Sequence, residues 1–115
     1  MRDSSFVDTN ILLYSISDAP DEKTKRERSI EILRNVHCAL SAQVIQEFYW
    51  QATRSMKPGA IAHDDALALV RGFMRFRFQE TTGALIPSAL DIQARHRLSY
   101  WDAAIVAAAQ ALGCD

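Results

Sequence analysis

Three short apolar runs, each followed by residues at helical spacing, constrain this chain more than any other feature. Residues 4–7 and 38–40 are too short for helices and too apolar for loops, and residues 77–80 form a weaker third candidate. Strands separated by helices pair in parallel, and the crossovers between them are overwhelmingly right-handed. The expected architecture is therefore α/β, a small parallel sheet covered by helices on both faces. In such sheets a ligand site lies beyond the carboxyl ends of the strands. Asp8, directly after the first run, falls at that edge.

The helical segments carry their own start and stop signals. Apolar residues at helical spacing occupy 10–14. Residues 21–36 begin with acids, expose Lys23, Lys25, Arg26 and Arg28, and turn Ile30, Ile32, Leu33 and Val36 toward a core. Ser41 can cap a helix running to about Ser55, ended by Lys57-Pro58-Gly59. A further helix is expected over 63–76, and another over 82–97 with Thr82 as its cap. Pro87 conflicts with that start, because it falls just beyond the positions where a missing N–H is free, so the helix is expected to begin later or irregularly. The last helix spans 100–112, with Gly113 as the residue that ends it.

A length of 115 residues, with 49% hydrophobic and 23% charged, supplies one core and argues against a second domain, so 1–115 reads as a single domain. The formal charge of −1 argues against nonspecific binding of polyanions through bulk charge and leaves a local basic patch as the route to nucleic acid. No stretch reaches transmembrane length and no signal-peptide pattern opens the chain, which makes a cytoplasmic location, without membrane, the expectation. Cys38 and Cys114 form no CxxC pair and are expected as buried, reduced thiols. His37, His63 and His96 lack zinc-ligand spacing and read as surface or packing residues. There is no glycine-rich phosphate loop and no Gly-x-Ser-x-Gly elbow. Arg71, Arg75 and Arg77, interleaved with Phe73, Phe76 and Phe78, read as a solvated basic helix end with its rings in the core.

Three acids stand in contexts that suggest a divalent-metal site. Asp8 closes an apolar run, Glu47 lies at the margin of the stripe Val44, Ile45, Phe48 and Ala52, and Asp102 follows the pair Tyr100-Trp101. Hard cations such as Mg²⁺ and Mn²⁺ take oxygen ligands, with water and substrate phosphate completing the shell. Thr9 and Asn10 can orient the Asp8 carboxylate by hydrogen bonding. Each acid also has a plain structural reading: Asp8 as turn or N-cap, Glu47 as a boundary glutamate, Asp102 as the acid of an S-x-x-[DE] capping box.

The segments Phe6-Val7-Asp8-Thr9-Asn10-Ile11-Leu12, Leu40 through Phe48, and Leu98 through Ala109 together resemble, in order and spacing, the motifs of the PIN-domain ribonucleases, in particular the VapC-type toxins of prokaryotic toxin–antitoxin pairs. The resemblance implies a PIN-like three-layer fold and a site in which Asp8, Glu47 and Asp102 are catalytic and bind metal, with Thr9 and Asn10 supporting. It also implies cleavage of RNA dependent on Mg²⁺ or Mn²⁺, a homodimer, and a cognate antitoxin protein whose tail blocks the site. Family members continue past the last helix into another strand and an acidic segment, so the 1–115 domain is expected to be C-terminally incomplete. Asp115 directly follows the helix end and is a poor substitute for the fourth carboxylate. The rival expectations are a noncatalytic PIN-like partner-binding module and, more remotely, a metal-dependent phosphatase. Phe48, Tyr49, Trp50, Phe73, Phe76 and Trp101 are many large rings for a small domain, and those left outside should mark a partner surface.

Overall fold

The computed structural model describes residues 5–34, 37–54 and 58–114. Its centre is a three-stranded parallel sheet: β1 (Ser5–Phe6), β2 (Cys38–Ser41) and β3 (Arg77–Gln79), in the order β1-β2-β3. The register pairs Phe6 with Ala39 and Leu40 with Phe78. As the middle strand, β2 is covered on both faces, and all four of its residues are buried. The backbone N–H of Val7 still donates to the carbonyl of Ala39 at 2.8 Å, holding the chain against β2 up to the residue before Asp8.

Six α-helices surround the sheet: α1 (Thr9–Ser15), α2 (Lys23–Leu33), α3 (Ala42–Thr53), α4 (His63–Phe73), α5 (Leu85–His96) and α6 (Tyr100–Ala111). Ser41 leaves β2 in extended conformation and accepts from the N–H of Val44 at 3.3 Å, so the strand ends and α3 begins on one residue. The main core joins Val7, Leu12, Leu40, Val44, Phe48 and Phe73. The rings of Phe48 and Phe73 meet edge to face, with centroids 5.0 Å apart and planes at 88°. A second cluster lies between α5 and α6 and is built of Ala89, Ile92, Ala103 and Ala107.

Several boundaries differ from the sequence reading, for identifiable reasons. Ser4, Val36, Ser55, Lys57 and Asp115 lie outside the described residues. Pro20–Glu22 forms a 3₁₀ turn, so α2 starts at Lys23 rather than Asp21. Ser29 is its buried residue, with Ile30, Ile32 and Leu33 only partly covered. Helix α4 stops at Phe73, because Phe76 and Phe78 reach the core from the following turn and strand instead of from a continued helix. Thr82 does not cap α5 with its side chain; its carbonyl accepts the N–H of Leu85, and Ala84 is the N-cap. That later start puts Pro87 in the third helical position, where no intrahelical N–H bond is needed. Helix α5 ends on Arg97 in the left-handed region, at φ 56°. Gly113, at φ 74°, follows the C-cap of α6 as expected.

Neither cysteine is in a disulfide, but only Cys38 is fully buried; Cys114 is half-covered. Burial pushes the Cys38 thiol up from its usual range, and its S–H donates to the carbonyl of Ile32. Of the six large rings expected to exceed the core, Phe48 and Phe73 are absorbed and Tyr49 and Phe76 half-covered, leaving Trp50 and Trp101 outside. No helix among the described residues is long and apolar enough to cross a membrane.

Candidate metal and nuclease site

At the carboxyl edge of the sheet, Asp8 is the backbone N-cap of α1, but its side chain does not cap in the usual way. A capping carboxylate accepts from the second or third helical N–H. The Asp8 Oδ1 accepts from the N–H of Thr9, the first, at 2.5 Å. Asp8 is exposed, and capping therefore accounts for only one of its two oxygens.

Thr9 is buried beneath it and points the other way. Its hydroxyl lies 3.5 Å from Oε2 of Glu47 and 3.5 Å from the carbonyl of Val44. One proton shared between two acceptors at that length gives a weak bond to each. The residue expected to orient Asp8 thus uses its side chain on Glu47 and only its main chain on Asp8. Asn10 is exposed, and its side chain lines an adjacent cavity of about 560 Å³ bordered by Tyr14, Asp18, Glu22 and Gly59, rather than contacting the acids.

Glu47 sits where the helical wheel puts it. Val44, Ile45, Phe48 and Ala52 are the buried stripe of α3, and Glu47 is half-buried at its margin. Its second oxygen accepts from Nε2 of Gln43 at 2.9 Å, one helical turn earlier. The same Nε2 donates to the carbonyl of Trp101 at 3.2 Å. Gln43 is the site residue that the sequence reading overlooked. Its four-residue spacing from Glu47, which places both on one helix face, was the available signal.

Asp102 lies in the first turn of α6, where Ser99 accepts its N–H at 3.1 Å. This is half of a capping box. The reciprocal bond from the acid's side chain is not formed among the described residues, and Asp102 is exposed. A continuous path of contacts thus runs Asp8, Thr9, Glu47, Gln43, Trp101, and the next residue is Asp102.

The donor chemistry suits a hard divalent cation. All three acids offer carboxylate oxygens, and among the described residues none has a cationic partner that would compete with a metal. They are not drawn into a closed cage: no group of three His, Cys, Asp or Glu side chains among the described residues is close enough to hold an ion alone. Mg²⁺ is ordinarily held through one or two carboxylates and keeps several waters, so an open arrangement is compatible with it.

Comparison with known proteins agrees with this architecture. The crystal structure of Mycobacterium tuberculosis VapC20, a sarcin-ricin loop cleaving toxin, matches with a TM-score of 0.72 over 96% of this chain and 85% of that one, at 22% sequence identity. No curated protein matches the sequence significantly. The family model for the PIN domain matches residues 5–115, nearly the whole chain. This protein belongs to the PIN-domain family and has its fold, which among the described residues comprises three parallel strands flanked by six helices.

Proposed function

We propose that this protein is a divalent-metal-dependent endoribonuclease, the toxin of a VapC-type toxin–antitoxin pair, acting through Asp8, Glu47 and Asp102. One observation supports the reading: in a PIN-family chain, contacts link Asp8 through Thr9 to Glu47, and Glu47 through Gln43 to the carbonyl of Trp101, the residue before Asp102, and the three carboxylates have no cationic partner among the described residues. Bound Mg²⁺ or Mn²⁺ would lower the pKa of a water and stabilise the leaving oxygen of a phosphodiester. Asp8 and Asp102, both exposed, would supply ligand oxygens. Glu47 would be the most rigid of the three, because Gln43 holds one of its oxygens, Thr9 touches the other weakly, and it is half-buried on α3. The partners that go with this reading are an RNA substrate, a cognate antitoxin and a second copy of the chain, in the cytoplasm.

The open arrangement of the acids favours one alternative, a noncatalytic PIN-like module that keeps the fold and a partner surface without a working metal site. Mn²⁺ titration calorimetry and an RNA cleavage assay with Mg²⁺ or Mn²⁺, with EDTA as control, separate the two. Asp8→Asn and Asp102→Asn should each abolish Mn²⁺ binding and cleavage with helix content unchanged, since they remove ligand charge and not core volume. Unaltered Mn²⁺ affinity in both variants would return these residues to turn and capping roles.

A further inference from the structure

Beside the acids, a pocket of about 120 Å³ opens between α3, the end of β3 and the start of α6. Its chemistry differs from that of the metal site. Its lining combines uncharged polar residues such as Gln43, Gln46, Gln79 and Thr81, the aromatic Tyr100 and Trp101, and aliphatic residues of α5 and α6, with no charged residue among them. Trp101, immediately before Asp102, is 66% exposed, and its ring stands edge to face with Tyr100 at 5.1 Å. Trp101 thus combines a large exposed apolar surface with a place in the pocket lining.

Resting on the ribonuclease reading, we infer that this pocket receives one nucleobase of the RNA, the base beside the phosphodiester to be cut, stacked on Trp101. An uncharged lining suits a base and not a phosphate. The volume suits a single planar ring, and an exposed aromatic next to a backbone-binding site is how single-stranded RNA is commonly gripped. Gln43 belongs to both sites: it lines the pocket, and its Nε2 is used on Glu47 and the Trp101 carbonyl, which leaves its Oε1 available as an acceptor. Gln79 likewise donates its Nε2 to the carbonyl of Glu80, and its oxygen remains free to accept. Two acceptor oxygens favour a base carrying an exocyclic amino group, so cytosine should be preferred to uracil, whose corresponding group is a carbonyl.

The test uses the full chain with Trp50→Phe, which makes Trp101 the only tryptophan, since the sequence has two. Short single-stranded oligocytidine or oligouridine is added in EDTA, so that binding is read without metal-dependent cutting. Saturable quenching of Trp101, tighter for oligocytidine, is expected. Trp101→Ala should weaken oligocytidine binding by about tenfold, measured by anisotropy of labelled RNA, and Trp101→Phe should restore most of it. An abasic ribose at the cut should weaken the wild type to a similar extent and cost Trp101→Ala nothing more. Equal affinity of Trp101→Ala and wild type, in a protein that does cut RNA with Mn²⁺, would overturn the base pocket and leave the nuclease. Equal affinity for the two oligomers would overturn the role of the amides. Quenching of Trp101 by a protein partner but not by RNA would overturn the base pocket in favour of a protein-docking site. Absence of both cutting and binding would remove the nuclease and the pocket together.

Discussion

Helices α3 and α6 each carry a candidate site acid at the edge of a buried stripe, yet the two stripes are built on opposite plans. In α3 the stripe is bulky: Val44, Ile45 and Phe48 fill the main core, and Phe48 closes edge to face on Phe73 of α4. In α6 it is Ala103, Ala107 and Ala108, of which Ala103 and Ala107 are set against Ala89 and Ile92 of α5. Side-chain volume therefore anchors Glu47, whereas close approach of two helix backbones anchors Asp102. The first arrangement is vulnerable to lost atoms and the second to added ones, because a packed interior tolerates neither voids nor overfilling.

The largest expected effect breaks the α3 side. Phe48→Ala removes a fully buried ring with no solvent to replace it and should cost about 3–5 kcal/mol, visible as a large fall in the urea midpoint. Truncation cannot test α6 in the same way, since its stripe has almost nothing to remove. Enlargement can: Ala107→Leu should cost about 1–3 kcal/mol by forcing α5 and α6 apart. In that variant RNA cleavage should fall by a greater factor than stability explains, because Asp102 and the Trp101 carbonyl move away from Gln43 while Glu47 stays in place. Cleavage unchanged beside a lowered melting temperature would show that α6 carries no positioning role.

The two plans also explain how much could be read from sequence. The α3 stripe is spaced at the helical period with residues whose apolarity is unmistakable, so both its buried face and the marginal position of Glu47 were legible. Ser41 and Ser99 were legible as caps because that bond is local in sequence. What escaped was non-local or made by atoms that every residue has. The tie from Gln43 to the main-chain carbonyl of Trp101 spans 58 residues and uses a backbone acceptor that no motif marks. The end of α4 was missed because Phe73 and Phe76 keep helical spacing whether or not the helix continues. Only the pairing of β3 with β2 decides that it stops. The later start of α5 was legible from Pro87, but the part played by Thr82 was not, because it contributes its carbonyl rather than its hydroxyl.

A smaller change sharpens the comparison at the site itself. Thr9→Val keeps the buried shape but deletes the hydroxyl shared between Glu47 and the Val44 carbonyl. Because both contacts are 3.5 Å, the stability cost should be about 1 kcal/mol or less. If Thr9 serves to orient Glu47, metal-dependent RNA cleavage should drop several-fold while melting temperature barely moves. A variant losing stability and activity in proportion would mean that Thr9 supports the fold alone.

The smallest effect concerns the joint between α5 and α6, where Arg97 adopts φ 56° and ψ 37° and gives its N–H to the carbonyl of Gln93. A residue with a Cβ pays about 1–2 kcal/mol for that left-handed conformation, which glycine avoids. Glycine also loses more backbone freedom on folding, which offsets part of the gain. Arg97→Gly should therefore stabilise the chain by only about 0.5 kcal/mol, a shift of a few degrees in melting temperature for a domain of this size. Because the joint sets how α6 leaves α5, and Ser99 begins α6 two residues later, relieving the strain should leave Asp102 in place and cleavage unchanged. A stabilised variant with impaired cleavage would instead show that the strained turn holds α6 in the position that the Gln43 contact requires, and that the alanine-packed side of the site depends on backbone conformation as the α3 side depends on the Phe48 ring.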